Sequence, residues 1–264
     1  TDGVYVNGRQ TDSGDCSGPR SARNVLMHPD VDAAVFETAR GGLLREGLAF
    51  DRCNVAIVTN MGGGDHLGLN YITTLEDLSV LKRVIVLNVE QNGMAVLNAA
   101  DPAVASMAPH CPGDVTFFAL DANQPVLATH RAQGKRVVFT EDGHIVAQKG
   151  KQIFRIPLSQ VPLTRQGQIG FQTENVMAAI GATRTIAVSR ARLSMKSTMA
   201  ASSITGLVFG MTIIVVTPNF RVAGTSFLNP ASIAGCAKPR FASTSMATGD
   251  SILTLGFALP SLRV

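Results

Sequence analysis

A succession of short, unbroken apolar runs restricts this chain more than any other feature. Ala33-Ala34-Val35-Phe36-Glu37, Asn54-Val55-Ala56-Ile57-Val58-Thr59-Asn60, Val84-Ile85-Val86-Leu87-Asn88, Met94-Ala95-Val96-Leu97-Asn98 and Thr116-Phe117-Phe118-Ala119 all lack the alternation of a strand with one wet face. Strands that are apolar throughout are covered on both faces, as in a parallel sheet between helices. Residues 75–82 carry helical apolar spacing between two such runs, and residues 174–182 read as a further helix. The expected fold is α/β, a mostly parallel sheet flanked by helices.

Three later segments have a different pattern. Residues 136–139, 141–147 and 152–156 read as antiparallel hairpin strands, a small addition to the main sheet. At the start, Val4-Tyr5-Val6 runs into Asn7-Gly8, a hairpin turn pair. The segment Gly18-Pro19-Arg20-Ser21-Ala22 is expected to open a helix with Ser17 as its cap, where Arg20 or Arg23 would face an anionic substrate. The chain starts at Thr1 without an initiator Met and enters a strand at once, so a piece cut from within a larger domain is expected.

The chain divides into residues 1–182 and residues 183–264. The second part holds a single acid, Asp250, against Arg184, Arg190, Arg192, Lys196, Arg221, Lys238, Arg240 and Arg263. Folded surfaces normally mix both signs. The part is read either as a divergent second domain or, preferentially, as an out-of-frame translation. A two-base shift forces acids from the codons of Met195-Lys196 and Met211-Thr212. This poorly defined tail is expected to pack weakly on the first part.

The basic balance of +4 comes from that tail, which has no aromatic platform with interleaved cations, so no nucleic-acid partner is expected. The longest apolar stretch, residues 204–216, is short and broken by Gly206 and Gly210, so no membrane span is expected. Cys16, Cys53, Cys111 and Cys236 form no CxxC pair; reduced thiols in the cytoplasm are expected.

Candidate chemistry gathers after the strands. Thr59-Asn60-Met61-Gly62-Gly63-Gly64-Asp65-His66 follows an apolar run, and in parallel sheets ligands bind at the carboxyl ends of strands. A glycine-rich turn lets backbone approach a phosphate, with Asp65 and His66 near a metal; equally, Asp65 caps a helix and His66 is solvated. Glu37 ends a strand, where a carboxylate suits Mg²⁺ or pairs with Arg40. Lys82 on its own reads as a solvated helix-end cation. Gln172 and Asn175, three apart at a helix start, contact an adenine edge or serve as an N-cap.

Together these residues resemble the Mur ligase family. The pattern is a strand ending in Glu37, then Asn60 to Leu67 with its Asp-His-Leu, then Lys82, Leu97-Asn98-Ala99-Ala100-Asp101, and Gly170 to Ala179. Ser13 to Ala22 and Glu37 to Leu44 are similar to the cyanophycin synthetase branch in particular. The resemblance covers residues 1–182 and implies the P-loop-NTPase-like central domain of an ATP-dependent amide ligase. It implies Glu37 and His66 as Mg²⁺ ligands, and Lys82 as a lysine carbamylated in many relatives. Asn60 would belong to the nucleotide site and Gln172 and Asn175 would contact adenine.

The implied reaction activates a carboxylate as an acyl phosphate at the expense of ATP, after which an amine displaces phosphate. In this branch the amine is arginine, the acceptor is the side-chain carboxylates of a poly-aspartate (cyanophycin) primer, and the intact protein is a homo-oligomer. A peptidoglycan-precursor ligase and an inactive remnant are the alternatives. The family's Gly-x-x-Gly-Lys-Thr/Ser loop does not occur in the 264 residues, and Gly68 stands where the family usually has Asp. ATP binding by the chain alone is therefore expected to be impaired.

Overall fold

The computed structural model describes residues 3–31, 33–62, 67–68, 71–182, 212–216 and 241–245. The central strands β3 (Ala33–Glu37), β4 (Cys53–Val58), β5 (Val89–Asn98) and β6 (Asp114–Asp121) are those the apolar runs announce, and β7 (Arg136–Glu141), read as a hairpin strand, pairs antiparallel with its hairpin partner but also joins the main sheet in parallel with β6. Strands β4 to β7 pair in parallel in that order. Hairpin strands β8 (His144–Lys149) and β9 (Gln152–Pro157) continue the sheet antiparallel to one edge. At the other edge, β1 (Gly3–Val6) and β2 (Arg9–Ser13) form the expected hairpin. Asn7 and Gly8 at its turn have φ of 52° and 80°, the double positive φ of a type I′ turn.

Two strands come from the second part of the chain. β10 (Thr212–Val216) runs antiparallel between β3 and β4, and β11 (Phe241–Ser245) lies between β1 and β3, parallel to β3. The sheet order is β2-β1-β11-β3-β10-β4-β5-β6-β7-β8-β9. Because β10 is antiparallel to both neighbours, β3 points the same way as β4. The rest of residues 183–264, and with it the reading of that part as out of frame, lies outside the described residues.

Both faces of the centre are covered, which is why its strands do not alternate. Val55 and Ile57 of β4, Met94 and Val96 of β5 and Phe118 of β6 pack with Val176, Met177 and Ala178 of α6 (Gly170–Ala182). Their sequence neighbours Val58, Ala95, Leu97, Phe117 and Ala119 pack on the opposite face. They meet Leu78 and Val86 of α3 (Leu75–Leu87), Val104 of α4 (Pro102–Ala105) and Leu127 of α5 (Pro125–Ala132). Helix α6 lies so close that a Cβ on Gly181 would come 2.8 Å from Val96 Cγ1.

Two local expectations are corrected. The run Val84 to Leu87, read as a strand, is the last turn of α3. Thr74 and Asp77 start that helix with reciprocal capping bonds, and it continues to Leu87 because Ile85 and Val86 are buried under the sheet. A short all-apolar run does not distinguish the two states. Helix α1 (Pro19–Leu26) opens at Pro19 as expected, but its N-cap is Gly18. Ser17 instead donates its hydroxyl to Asp15 Oδ1 at 2.6 Å, while its carbonyl accepts from Ala39 N.

Candidate active site at the carboxyl ends of β3, β4 and β5

Strands β3, β4 and β5 point in one direction, so Glu37, Thr59-Asn60-Met61 and Asn98 to Asp101 emerge at a common edge. Lys82 is brought to that edge by α3. It lies four residues after buried Leu78 and four before buried Val86, on the helix's inward stripe. Its Nζ donates to the carbonyls of Asn60 at 3.0 Å and Met61 at 3.2 Å. Burial pushes the Lys82 amine down to about 8, against an opposing pull from the Asp101 carboxylate. The reading of Lys82 as a solvated helix-end cation is thereby corrected: it stands mid-helix, and its partners are main-chain oxygens of the β4 loop.

Asp101 completes this junction. Its Oδ2 accepts from Met61 N at 2.8 Å, and Oδ1 accepts from Ala103 N and Val104 N at the start of α4. Asn60 donates its side-chain amide to Thr59 Oγ1 at 3.4 Å, and Met61 is buried. Glu37, the last residue of β3, is only 9% exposed, and burial raises its carboxyl pKa.

A second polar group sits where α6 begins. Asn98, at the end of β5, donates to Glu174 Oε1 at 3.5 Å, and its own oxygen accepts from Ala100 N. Burial raises the Glu174 carboxyl, and the Asn98 bond lowers it in part. Gln172 and Asn175 are each 3% exposed, and the Asn175 amide donates to Gln172 Oε1 at 3.3 Å. Helix α6 starts at Gly170, so Asn175 is in its second turn and is not an N-cap.

The sequence profile of the Mur ligase middle domain matches residues 8–183. The chain belongs to the Mur ligase family. The match spans the edge just described, from Glu37 through Lys82 to Asn175. Among characterised relatives, the cyanophycin synthetase of Synechocystis sp. is 41% identical over 181 residues, which is 68% of this chain and 20% of that protein. Those of Crocosphaera subtropica and Nostoc sp. are 41% and 39% identical over 180 residues, with the same shares. The chain thus spans about a fifth of the length of the curated relatives it matches. The Mur ligase resemblance read from the sequence and the α/β fold it implies both hold.

Of the residues singled out in the sequence, Asn60 and Lys82 meet directly, Glu37 ends β3, which points the same way as β4 with β10 between them, and Gln172 and Asn175 lie at the head of α6 beside β5. Asp65 and His66 lie outside the described residues. Among the described residues no group of three or more His, Cys, Asp or Glu side chains gathers as a metal cage, and no helix is long and apolar enough to cross a membrane. Cys16, Cys53 and Cys111 are free thiols. The sequence motifs contained Asn98, Asp101 and Glu174 but assigned them no task. An Asp before Pro, set off from the end of β5 by Ala99 and Ala100, is the signal that marks Asp101, because that order caps a helix.

Proposed function

We propose that this chain is the nucleotide-binding central domain of an ATP-dependent amide ligase that joins arginine to the side-chain carboxylates of poly-aspartate. The observation that carries this reading is the identity of about 40% to several cyanophycin synthetases over 180 residues or more of this chain. When bound, ATP supplies the activating phosphoryl group and Mg²⁺ neutralises its charge.

The chain's own groups suit that task. Glu37 offers an anionic oxygen whose burial makes its charge costly, a cost that a hard cation offsets. His66 is the second ligand in this proposal. With one or two protein ligands, the rest of the ion's shell is left to phosphate and water, as Mg²⁺ prefers. The Lys82 amine, lowered to about 8, is neutral in a sizeable fraction of molecules near physiological pH, the form that takes up carbon dioxide as a carbamate. Asn60 places its backbone beside that amine. Gln172 and Asn175 already satisfy each other, so an adenine edge would replace one side-chain bond with another at little cost. We further propose that residues 1–182 form this domain and that the assembled enzyme is a cytoplasmic homo-oligomer.

The test is a chimera. Residues 8–182 replace the aligned segment of the Synechocystis cyanophycin synthetase, and phosphate release is measured with Mg·ATP, poly-aspartate and arginine. Release that requires both poly-aspartate and arginine supports the proposal. A folded chimera that ignores arginine but turns over with a peptidoglycan precursor moves the assignment to a cell-wall ligase. A folded chimera inert with every acceptor identifies an inactive remnant.

A further inference from the structure

We propose that Asp101 is a positioning residue, fixing the Asn60-Met61 segment against which Lys82 is held and so setting the geometry of the strand-end edge. Its carboxylate has two separate tasks. Oδ1 accepts from Ala103 N at 3.0 Å and Val104 N at 3.2 Å, the ordinary work of an N-cap. Oδ2 reaches forty residues back along the chain to accept from Met61 N at 2.8 Å. The carbonyl of the same Met61 accepts from Lys82 Nζ at 3.2 Å, and the Asn60 carbonyl does so at 3.0 Å. One short segment is therefore gripped by an anion at its N–H and by a cation at its two carbonyls.

Capping α4 would need only one acceptor oxygen, and Ser, Thr or Asn supply that as well as Asp. The second anionic oxygen is what Asp adds, and charge-assisted bonds of this kind are shorter and stronger than neutral ones. The segment it holds is critical because the chain turns immediately afterwards: Gly62 has a φ of 78°. The Met61 side chain is 5% exposed and packs with Val58, Ile72 and Leu78, so the backbone bond and the core contact secure the same residue. Lys82 acts on the carbonyls of Asn60 and Met61, and Asp101 acts on the Met61 N–H between them. The relevance to catalysis rests on the ligase reading, because that reading makes Lys82 a working group; the geometry does not depend on it.

The experiment uses the full 264-residue chain and two variants. Asp101→Asn keeps an acceptor for α4 but replaces Oδ2 with an amide that cannot accept from Met61. Asp101→Ser caps α4 with a side chain too short to reach Met61 as well. Amide hydrogen exchange is followed at Met61, Ala103 and Val104, together with the Lys82 Nζ resonance, and β7 and β8 amides report the folded core. The expected result is Met61 exchange faster by about tenfold or more in both variants, with Ala103 and Val104 within about twofold of the parent. The Lys82 resonance should also shift or broaden. Unchanged Met61 exchange and an unchanged Lys82 resonance, with effects confined to Ala103 and Val104, would reduce Asp101 to a helix cap and overturn the proposal. Neither readout involves ATP, arginine or poly-aspartate, so this failure is distinct from failure of the ligase assignment.

Discussion

The two polar clusters at the strand ends are secured by opposite means. Around Lys82, charged side chains grip main-chain atoms: ammonium to the Asn60 and Met61 carbonyls, carboxylate to the Met61 amide. At the head of α6, side chains grip one another, Asn175 to Gln172 and Asn98 to Glu174. The first arrangement ties three elements, β4, α3 and α4, into one geometry and cannot change without moving backbone. The second can exchange partners by rotating amides. A fixed centre beside an adaptable rim fits a site that holds reacting groups in place and admits a nucleotide at its side.

Several variants break or sharpen that contrast. The largest effect is expected for Lys82→Met in the chimera, where arginine-dependent phosphate release should fall about a hundredfold. Its stability should change by only about 1 kcal/mol, because removing a buried ammonium offsets the loss of two hydrogen bonds. Paired assays of turnover and urea midpoint separate the two, and retained turnover would remove Lys82 from the reaction.

At the rim, Asn175→Ala should cost about 1–3 kcal/mol by leaving buried Gln172 short of a donor. Adding Gln172→Ala should cost less than the sum of the two single changes, because the pair is already broken. A double-mutant cycle by urea denaturation reads this directly; strict additivity would mean that the two amides do not act as a pair.

A pH series distinguishes the clusters through their titrations. Lys82 binds its proton less tightly in the folded chain, about 8 against an ordinary value near 10.5, so the unfolded chain holds more protons between these limits. Its contribution to stability therefore rises with pH across that window, by about 1–3 kcal/mol. Lys82→Met should lack that rise when urea midpoints are compared at pH 7.5 and 10. Glu174 has the opposite character and the smallest effect. Its raised carboxyl pKa means that stability falls as pH climbs through the ordinary glutamate range. Glu174→Gln should thus be slightly more stable than the parent at pH 7, with the gain absent at pH 3.5.

The central strands were legible because burial on both faces writes itself as unbroken apolar runs, as in Val55 to Val58 and Met94 to Leu97. The same rule misled at Val84 to Leu87, where the covering is also complete but the backbone is helical. Asn7-Gly8 was readable because its backbone needs positive φ at both positions. Ser17 was not, since a nearby carboxylate, Asp15, took its hydroxyl from the cap. Lys82 could be flagged by its resemblance, yet its role as a buried donor depends on Asn60 and Met61, more than twenty residues away. Spacing along α3 did hold the clue, with Leu78, Lys82 and Val86 on one stripe. Asp101 was harder still: its second oxygen acts on a loop forty residues earlier, which no local pattern announces.

The most direct test of this account is hydrogen exchange on the chimera with and without Mg·ADP. Nucleotide binding at the strand-end edge, as proposed, would slow exchange at Asn60, Met61 and Gln172 to Asn175 together. Slowing confined to the opposite end of the sheet, at the turns holding Gly134 and Gly150, with none at Met61 or Asn175, would contradict it.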